Sequence, residues 1–85
     1  MEVLFTPHFK RSAKRLPVSM REIVEVRLSI FLKDPFAPTL KTHKLTGKLN
    51  GYWAFSIDHR IRVIFAFEGT VRAVLHEIGD HAIYD

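Results

Sequence analysis

The sequence predicts an α+β domain: a short N-terminal strand and a helical hairpin packed on an antiparallel sheet, in the order β-α-α-β-β-β. Three observations carry this prediction. Residues 1–33 hold two stretches with helical punctuation, residues 52–78 hold three stretches of apolar–polar alternation broken by tight turns, and the chain is 85 residues long with no cysteine. A chain of that length makes one domain, 1–85. Without disulfides, its core must come from the apolar faces of the elements alone.

Each element has a local reason. Val3-Leu4-Phe5 is a short apolar run suited to a first strand. Thr6-Pro7 then reads as a helix start, with Thr as N-cap and Pro at the first helical position. Phe9, Ala13 and Leu16 follow on one face of a helix over 7–16, and Pro17 ends it. Residues 24–30 fit two periods. Val24, Val26, Leu28 and Ile30 alternate as in a strand, whereas Met20, Ile23, Val24, Arg27, Leu28, Phe31 and Leu32 mark a helix. The punctuation decides for a helix over 20–33: Ser19-Met20-Arg21-Glu22 fits a capping box, and Asp34-Pro35 is a stop. Its apolar circumference is wide enough to require cover from both the sheet and the first helix.

A loop-rich connector from Pro35 to Gly51 carries Lys41, His43, Lys44 and Lys48. Three strands follow, at 52–58, 61–67 and 71–78. In the first, Trp53, Phe55 and Ile57 share a face; in the second, Ile61, Val63, Phe65 and Phe67 do. Asp58-His59-Arg60 and Glu68-Gly69-Thr70 are the turns between them.

Charge narrows the partners. Residues 1–48 hold ten Lys/Arg against four Asp/Glu, while 49–85 hold three against five. The basic half points to a polyanion or an acidic partner, with Lys10, Arg11, Lys14 and Arg15 as a stripe on the first helix. No apolar run approaches the ~20 residues of a membrane span, and the N-terminus lacks the order of a signal peptide, so a cytoplasmic protein with no membrane partner is expected. Five histidines invite a metal reading, but no paired ligand spacing recurs, and neither metal nor cofactor is expected.

Three motifs carry the functional expectation: T-H-K-L-T-G-K-L-N-G-Y-W from Thr42, H-R-I-R-V-I-F from His59, and I-G-D-H-A-I-Y-D at the end. Together they resemble the RelE/ParE toxin superfamily of bacterial type II toxin–antitoxin modules, most nearly the YafQ-like and YoeB-like messenger-RNA interferases. The resemblance spans about residues 43–84, and the preceding helical hairpin has the length that family has. It implies a metal-independent endoribonuclease that cleaves messenger RNA on the ribosome. In that reaction a 2′-hydroxyl attacks its neighbouring phosphate, which requires a base, an acid and positive charge on the phosphate.

Carried over residue by residue, the resemblance implies four catalytic positions. His43 stands where such toxins carry an active-site His or Glu. Arg62 stands where they carry an Arg on the scissile phosphate. His81, two residues after Gly79, stands where they carry a His or Arg, with the glycine letting the backbone turn away from the sheet. Tyr84 matches a terminal aromatic that stacks on a base or supports proton transfer. Lys44 and Arg60 are further phosphate contacts, and Lys10, Arg11, Lys14, Arg15, Lys41 and Lys48 fit contact with ribosomal RNA. His8, His59 and His76 read as structural or surface residues. Ser56 and Arg60 depart from the YafQ-like pattern, which has His and Asp there. Trp53 and Phe55 occupy the places of two lysines in RelE itself.

The implied partners are a cognate antitoxin with an acidic or amphipathic segment, the ribosome and messenger RNA, and operator DNA only through the antitoxin. Two other readings share the fold: a ParE-like gyrase inhibitor, and a non-catalytic homologue that binds antitoxin and operator.

Overall fold

A computed structural model describes residues 1–84. A five-stranded sheet runs in the order β1-β5-β4-β3-β2, with β1 Glu2–Phe5, β2 His43–Lys44, β3 Trp53–Ser56, β4 Arg62–Glu68 and β5 Arg72–Gly79. Two helices, α1 Pro7–Lys14 and α2 Arg21–Lys33, form the hairpin between β1 and β2. The α+β class and the β-α-α-β-β-β order hold, with two additions. β1 pairs with β5 in parallel, Glu2 opposite Arg72 through Phe5 opposite Leu75, so the sheet is mixed. The connector also contributes β2, two residues antiparallel to β3.

α1 starts where the sequence places it. Thr6 Oγ1 accepts a hydrogen bond from the Phe9 amide at 3.0 Å, and Pro7 occupies the first turn. The same hydroxyl donates to the His76 carbonyl at 3.2 Å. One turn on, the buried Ser12 hydroxyl donates to the Phe9 carbonyl at 2.9 Å and accepts from the Ile78 amide at 3.1 Å. These two hydroxyls take over where β1 ends: beyond Leu75, β5 has no β1 partner, and α1 satisfies its backbone instead.

α2 forms as a helix, but not through the expected capping box. A 3₁₀ turn over Val18–Met20 leads into it, and no side chain caps its start. Pro17 fixes the entry, and the backbone turn replaces the Ser19 cap. The stop is as expected: Asp34 leaves helical geometry and its carboxylate accepts from the Phe36 amide at 2.9 Å. The expected double cover of α2 is only partial, since Val26 is 52% and Leu32 46% exposed.

The core lies between α2 and one face of the sheet. Phe31 is fully buried, stacked on Phe55 with centroids 4.4 Å apart and edge-on to Phe65 at 4.9 Å. Phe36 extends the cluster onto Trp53 and Phe67. Leu40, in a 3₁₀ turn over Pro38–Leu40, closes it from the connector.

One irregularity shapes the rest of the molecule. Ile64 lies opposite Glu77 but Phe65 lies opposite Leu75, so His76 is an extra residue in β5. This β-bulge lets Ala73, Leu75 and Ile78 all face the core although their spacing breaks simple alternation.

Candidate active site

The face of the sheet away from α2 is only partly open, since Ala54, Ser56 and Ile64 on it are buried, and the chemistry-bearing residues gather at one end of it. They are positioned by two turns. In the β3–β4 turn, Asp58 Oδ1 accepts from the amides of Arg60 at 2.8 Å and Ile61 at 2.7 Å. Partial burial works to raise the Asp58 carboxyl, but these two amides, with His59 and Arg62 nearby, hold it below the usual carboxylate range. The Arg62 guanidinium donates back to the Asp58 carbonyl and, at 3.4 Å, to that of Ile61. Arg62 opens β4 opposite Ser56 on one side and Gly79 on the other.

The second turn is the closing motif. Asp80 Oδ1 accepts from the Ala82 amide at 3.0 Å and caps a 3₁₀ turn over His81–Tyr84; Asp85 lies outside the described residues. Gly79 is required here for a reason other than the expected one. Its backbone is not in the left-handed region that favours glycine. Instead, a Cβ on it would come within 2.6 Å of Ile83 Cγ2, so the missing side chain is what lets the 3₁₀ turn fold back against the strand.

That fold-back brings Tyr84 beside Arg62. Burial pushes the Tyr84 hydroxyl above its ordinary pKa, and the Arg62 charge works against the rise. At neutral pH Tyr84 is therefore a hydrogen-bond donor. The His81 ring lies 5.9 Å from that of Tyr84, tilted by 61°. His59, Arg60, Asp80, His81 and Tyr84 line an open hollow of about 820 Å³. Arg60, His81 and Tyr84 thus share one hollow, and His59, read from the sequence as a surface residue, joins them; Arg62 is close enough for its charge to act on Tyr84, from its place opposite Gly79. On its other side Tyr84 borders a smaller hollow with Leu45, Thr46, Lys48 and Leu49.

His43 stands apart. It lies opposite Ala54, which lies opposite Ile64, so it shares the open face with Arg62. Two strand spacings and two residues along the strand put the His43 and Arg62 Cα atoms about 12 Å apart. His43 is exposed, and its Nδ1 is 2.9 Å from the Lys41 carbonyl. A carbonyl only accepts, so Nδ1 carries the hydrogen and Nε2 keeps its lone pair in the neutral ring.

The remaining cations divide. Lys44 Nζ lies 5.5 Å from the Trp53 ring centroid, which places it on the helix side of the sheet, away from His43. Lys41 is exposed beside β2. The α1 stripe is exposed but does not act as one patch: Arg11 lines a groove over the open face, whereas Lys14 lines a cleft between α1 and α2. The groove also holds His8, Tyr52, His76 and Glu77. From the sequence His8 and His76 read as structural or surface residues, and Tyr52 and Glu77 received no site role, because the bulge that turns His76 and Glu77 together has no signature in the alternation. Among the described residues, no three His, Cys, Asp or Glu side chains are grouped to hold a metal ion.

No protein-family model and no curated protein matches the chain. Solved structures do. YafQ from E. coli strain BL21(DE3) superposes with a TM-score of 0.77 at 13% identity, over 98% of this chain and 96% of that one. A YoeB/ParE toxin from Agrobacterium tumefaciens gives 0.75 at 22% identity, over 95% and 99%. The RelBE2 toxin–antitoxin complex from Mycobacterium tuberculosis gives 0.75 at 17%, over 94% and 96%. Nearly the whole length of each chain is matched, so the likeness is one of complete folds. The chain has the fold of the RelE/ParE-superfamily toxins that its three motifs resemble.

Proposed function

We propose that this protein is the toxin of a type II toxin–antitoxin pair and that it acts as a metal-independent, ribosome-dependent messenger-RNA endoribonuclease. The observation that carries the reading is the convergence of Arg62, His81 and Tyr84 at one end of the open sheet face. Phosphodiester cleavage without a metal requires positive charge on the phosphate, an acid and a base; the guanidinium suits the first, and the imidazole and protonated phenol suit the second. Arg62 would hold the phosphate oxygens in its planar fork as charge builds on them. His81, when protonated, would deliver a proton to the leaving 5′-oxygen, with the Tyr84 hydroxyl donating alongside. His43 would take the 2′-hydroxyl proton on its free Nε2. With ~12 Å between backbones, His43 and Arg62 can only meet across a substrate. Arg62 must then release the Asp58 and Ile61 carbonyls to reach the phosphate.

The cognate partner would be an antitoxin with an acidic or amphipathic segment, as the surplus of cations in residues 1–48 supports. The solved RelBE2 and Staphylococcus aureus YoeB–YefM assemblies are themselves toxin–antitoxin complexes, which supports the same reading. Operator DNA would be reached only through that antitoxin. Action on the ribosome would put the protein in the cytoplasm.

The test is single-turnover cleavage of messenger RNA on preformed ribosome complexes. His43→Ala and His81→Ala should each lose about 10²–10⁴ in rate, each removing one limb of a bell-shaped pH profile. Arg62→Lys should lose about 10²–10³ with the fold intact, because Lys keeps the charge but not the fork. Wild-type rates in all three would remove these residues from the chemistry.

One observation favours a second reading. Ser56, where YafQ-like toxins have a histidine, is buried opposite Arg62 and offers no proton-transfer group near neutral pH. A non-catalytic homologue that only binds antitoxin would have such a site. It would neither cleave messenger RNA nor arrest growth on expression. A parallel gyrase supercoiling assay separates a ParE-like inhibitor from both.

A further inference from the structure

The groove over the open face, about 620 Å³ in volume, is a distinct feature beside the Arg62–Tyr84 centre. Its floor is Tyr52, Ile64 and the bulged His76. One wall is α1, through His8 and Arg11; the other is the 3₁₀ turn Gly47–Leu49, through Lys48. We propose that this groove binds one nucleotide unit of single-stranded RNA, its phosphate held between Arg11 and Lys48 and its base laid against Tyr52.

Four features of the site carry this. The volume falls within the roughly 300–1,000 Å³ range of small-ligand pockets. The two cations are exposed and line the same groove, one from α1 and one from the 3₁₀ turn, so both attract an anion placed in it. Tyr52 is half-buried and held edge-on to His76, with ring centroids 5.2 Å apart at 87°, which fixes an aromatic surface in the groove. The bulge matters here, because it is what turns His76 and Glu77 together into the groove.

Glu77 selects between ligand classes. Its carboxylate lies 3.2 Å from His8 Nε2, inside the same groove. A carboxylate is an acceptor only, so whatever lies beside it must supply donors and keep its own anion at the cations; an acidic peptide with a carboxylate on every residue does this poorly. An RNA nucleotide brings a phosphate for the cations together with 2′-hydroxyl and amine donors for Glu77. The groove lies next to the reaction centre: Ile83 lines the groove, and the next residue, Tyr84, lines the hollow with His81. The proposal rests on the endoribonuclease reading and adds to it a positioning subsite for a nucleotide flanking the cut.

The experiment is an amide NMR titration of the intact chain with a 5′-phosphorylated tetra-adenylate RNA, its deoxy counterpart and a tetraglutamate peptide. The RNA should shift the amides of Tyr52, Ile64, His76 and Glu77, and the deoxy probe should bind more weakly. Tyr52→Leu should raise the RNA dissociation constant roughly five- to a hundredfold, the range of a base–aromatic stack, while Tyr52→Phe should stay near wild type. RNA shifts absent from the groove, equal affinity in Tyr52→Leu, or tighter binding of the peptide would each overturn the proposal. The readout needs no cleavage. Groove shifts in a protein that cuts nothing on the ribosome would sink the endoribonuclease reading alone; cleavage without groove shifts would sink the subsite alone.

Discussion

The helix-covered face of the sheet and its open face are built by the same strands, yet they follow different rules. On the covered face, Val63, Phe65, Ala73, Leu75 and Ile78 are all buried against α2 and its surroundings, and aromatic rings meet at stacked or edge-on angles. On the open face, Tyr52, Ile64, His76 and Glu77 mix apolar, aromatic and ionisable groups around a groove. The single extra residue at His76 makes both possible. It keeps Ile78 in the core while turning two consecutive ionisable side chains outward. Packing therefore specifies one face, and a local break in the ladder specifies the other.

The sharpest way to probe that contrast is to empty the covered face. Phe31 has no exposed surface and touches Phe55 and Phe65 with its ring. Phe31→Ala should destabilise the fold by about 3–5 kcal/mol, the usual cost of a large buried aromatic with the cavity it leaves. Val26→Ala, on the exposed side of the same helix, should stay within about 0.5 kcal/mol. Urea unfolding followed by Trp53 fluorescence measures both. Similar costs for the two would mean that α2 is not sorted into a core side and a free side.

The same division explains what the sequence revealed. The covered face was legible because hydrophobic burial writes itself as periodicity: Trp53, Phe55 and Ile57, then Val63, Phe65 and Phe67, announce strands, and Thr6-Pro7 announces a helix start. The choice between helix and strand at 24–30 came out correctly from the Asp34-Pro35 stop. The capping box at Ser19 did not form, because the turn after Pro17 supplies the entry by backbone geometry. What stayed hidden depends on long-range contacts. The parallel pairing of β1, the Thr6 and Ser12 hydroxyls on β5, and the bulge at His76 all join residues far apart in the chain or break a pattern. In the candidate site, the motifs pointed to Arg62, His81 and Tyr84, which are neighbours. They gave no hint that His43 stands two strands away, or that Lys44 faces the helix side.

A smaller effect tests how the open face acquires its end group. Gly79→Ala would drive a Cβ into Ile83 Cγ2, and crowding of this kind typically costs about 1–3 kcal/mol. The 3₁₀ turn should lift off the strand and expose Tyr84. Its hydroxyl pKa should then fall back toward the ordinary value near 10, since burial is what raises it. Ultraviolet titration of the phenolate reads this directly. Adding Ile83→Ala should relieve the clash and recover part of the stability. If the single variant titrates as wild type, Gly79 is not what seats the turn.

The smallest effect concerns Asp58, on the opposite turn of the same site. Burial alone would raise its carboxyl, but the amides of Ile61 and Arg60 outweigh it and leave the folded pKa below the unfolded one. A depressed carboxylate stabilises the fold above its unfolded pKa, near 3.9, and that contribution is lost as pH falls through the lower folded value. Asp58→Asn keeps an oxygen in place for both amides but cannot ionise. It should therefore cost less than about 1 kcal/mol at pH 7, since the turn bonds survive and only their charge assistance goes. As the pH falls through the folded value the wild type and the variant should converge, because the wild-type carboxyl is then neutral too. Urea unfolding at pH 7 and below that folded value, with Trp53 as reporter, resolves the two curves. A gap that persists at low pH would mean that the aspartate acts through shape rather than charge. The turn that seats Arg62 would then owe nothing to the carboxylate.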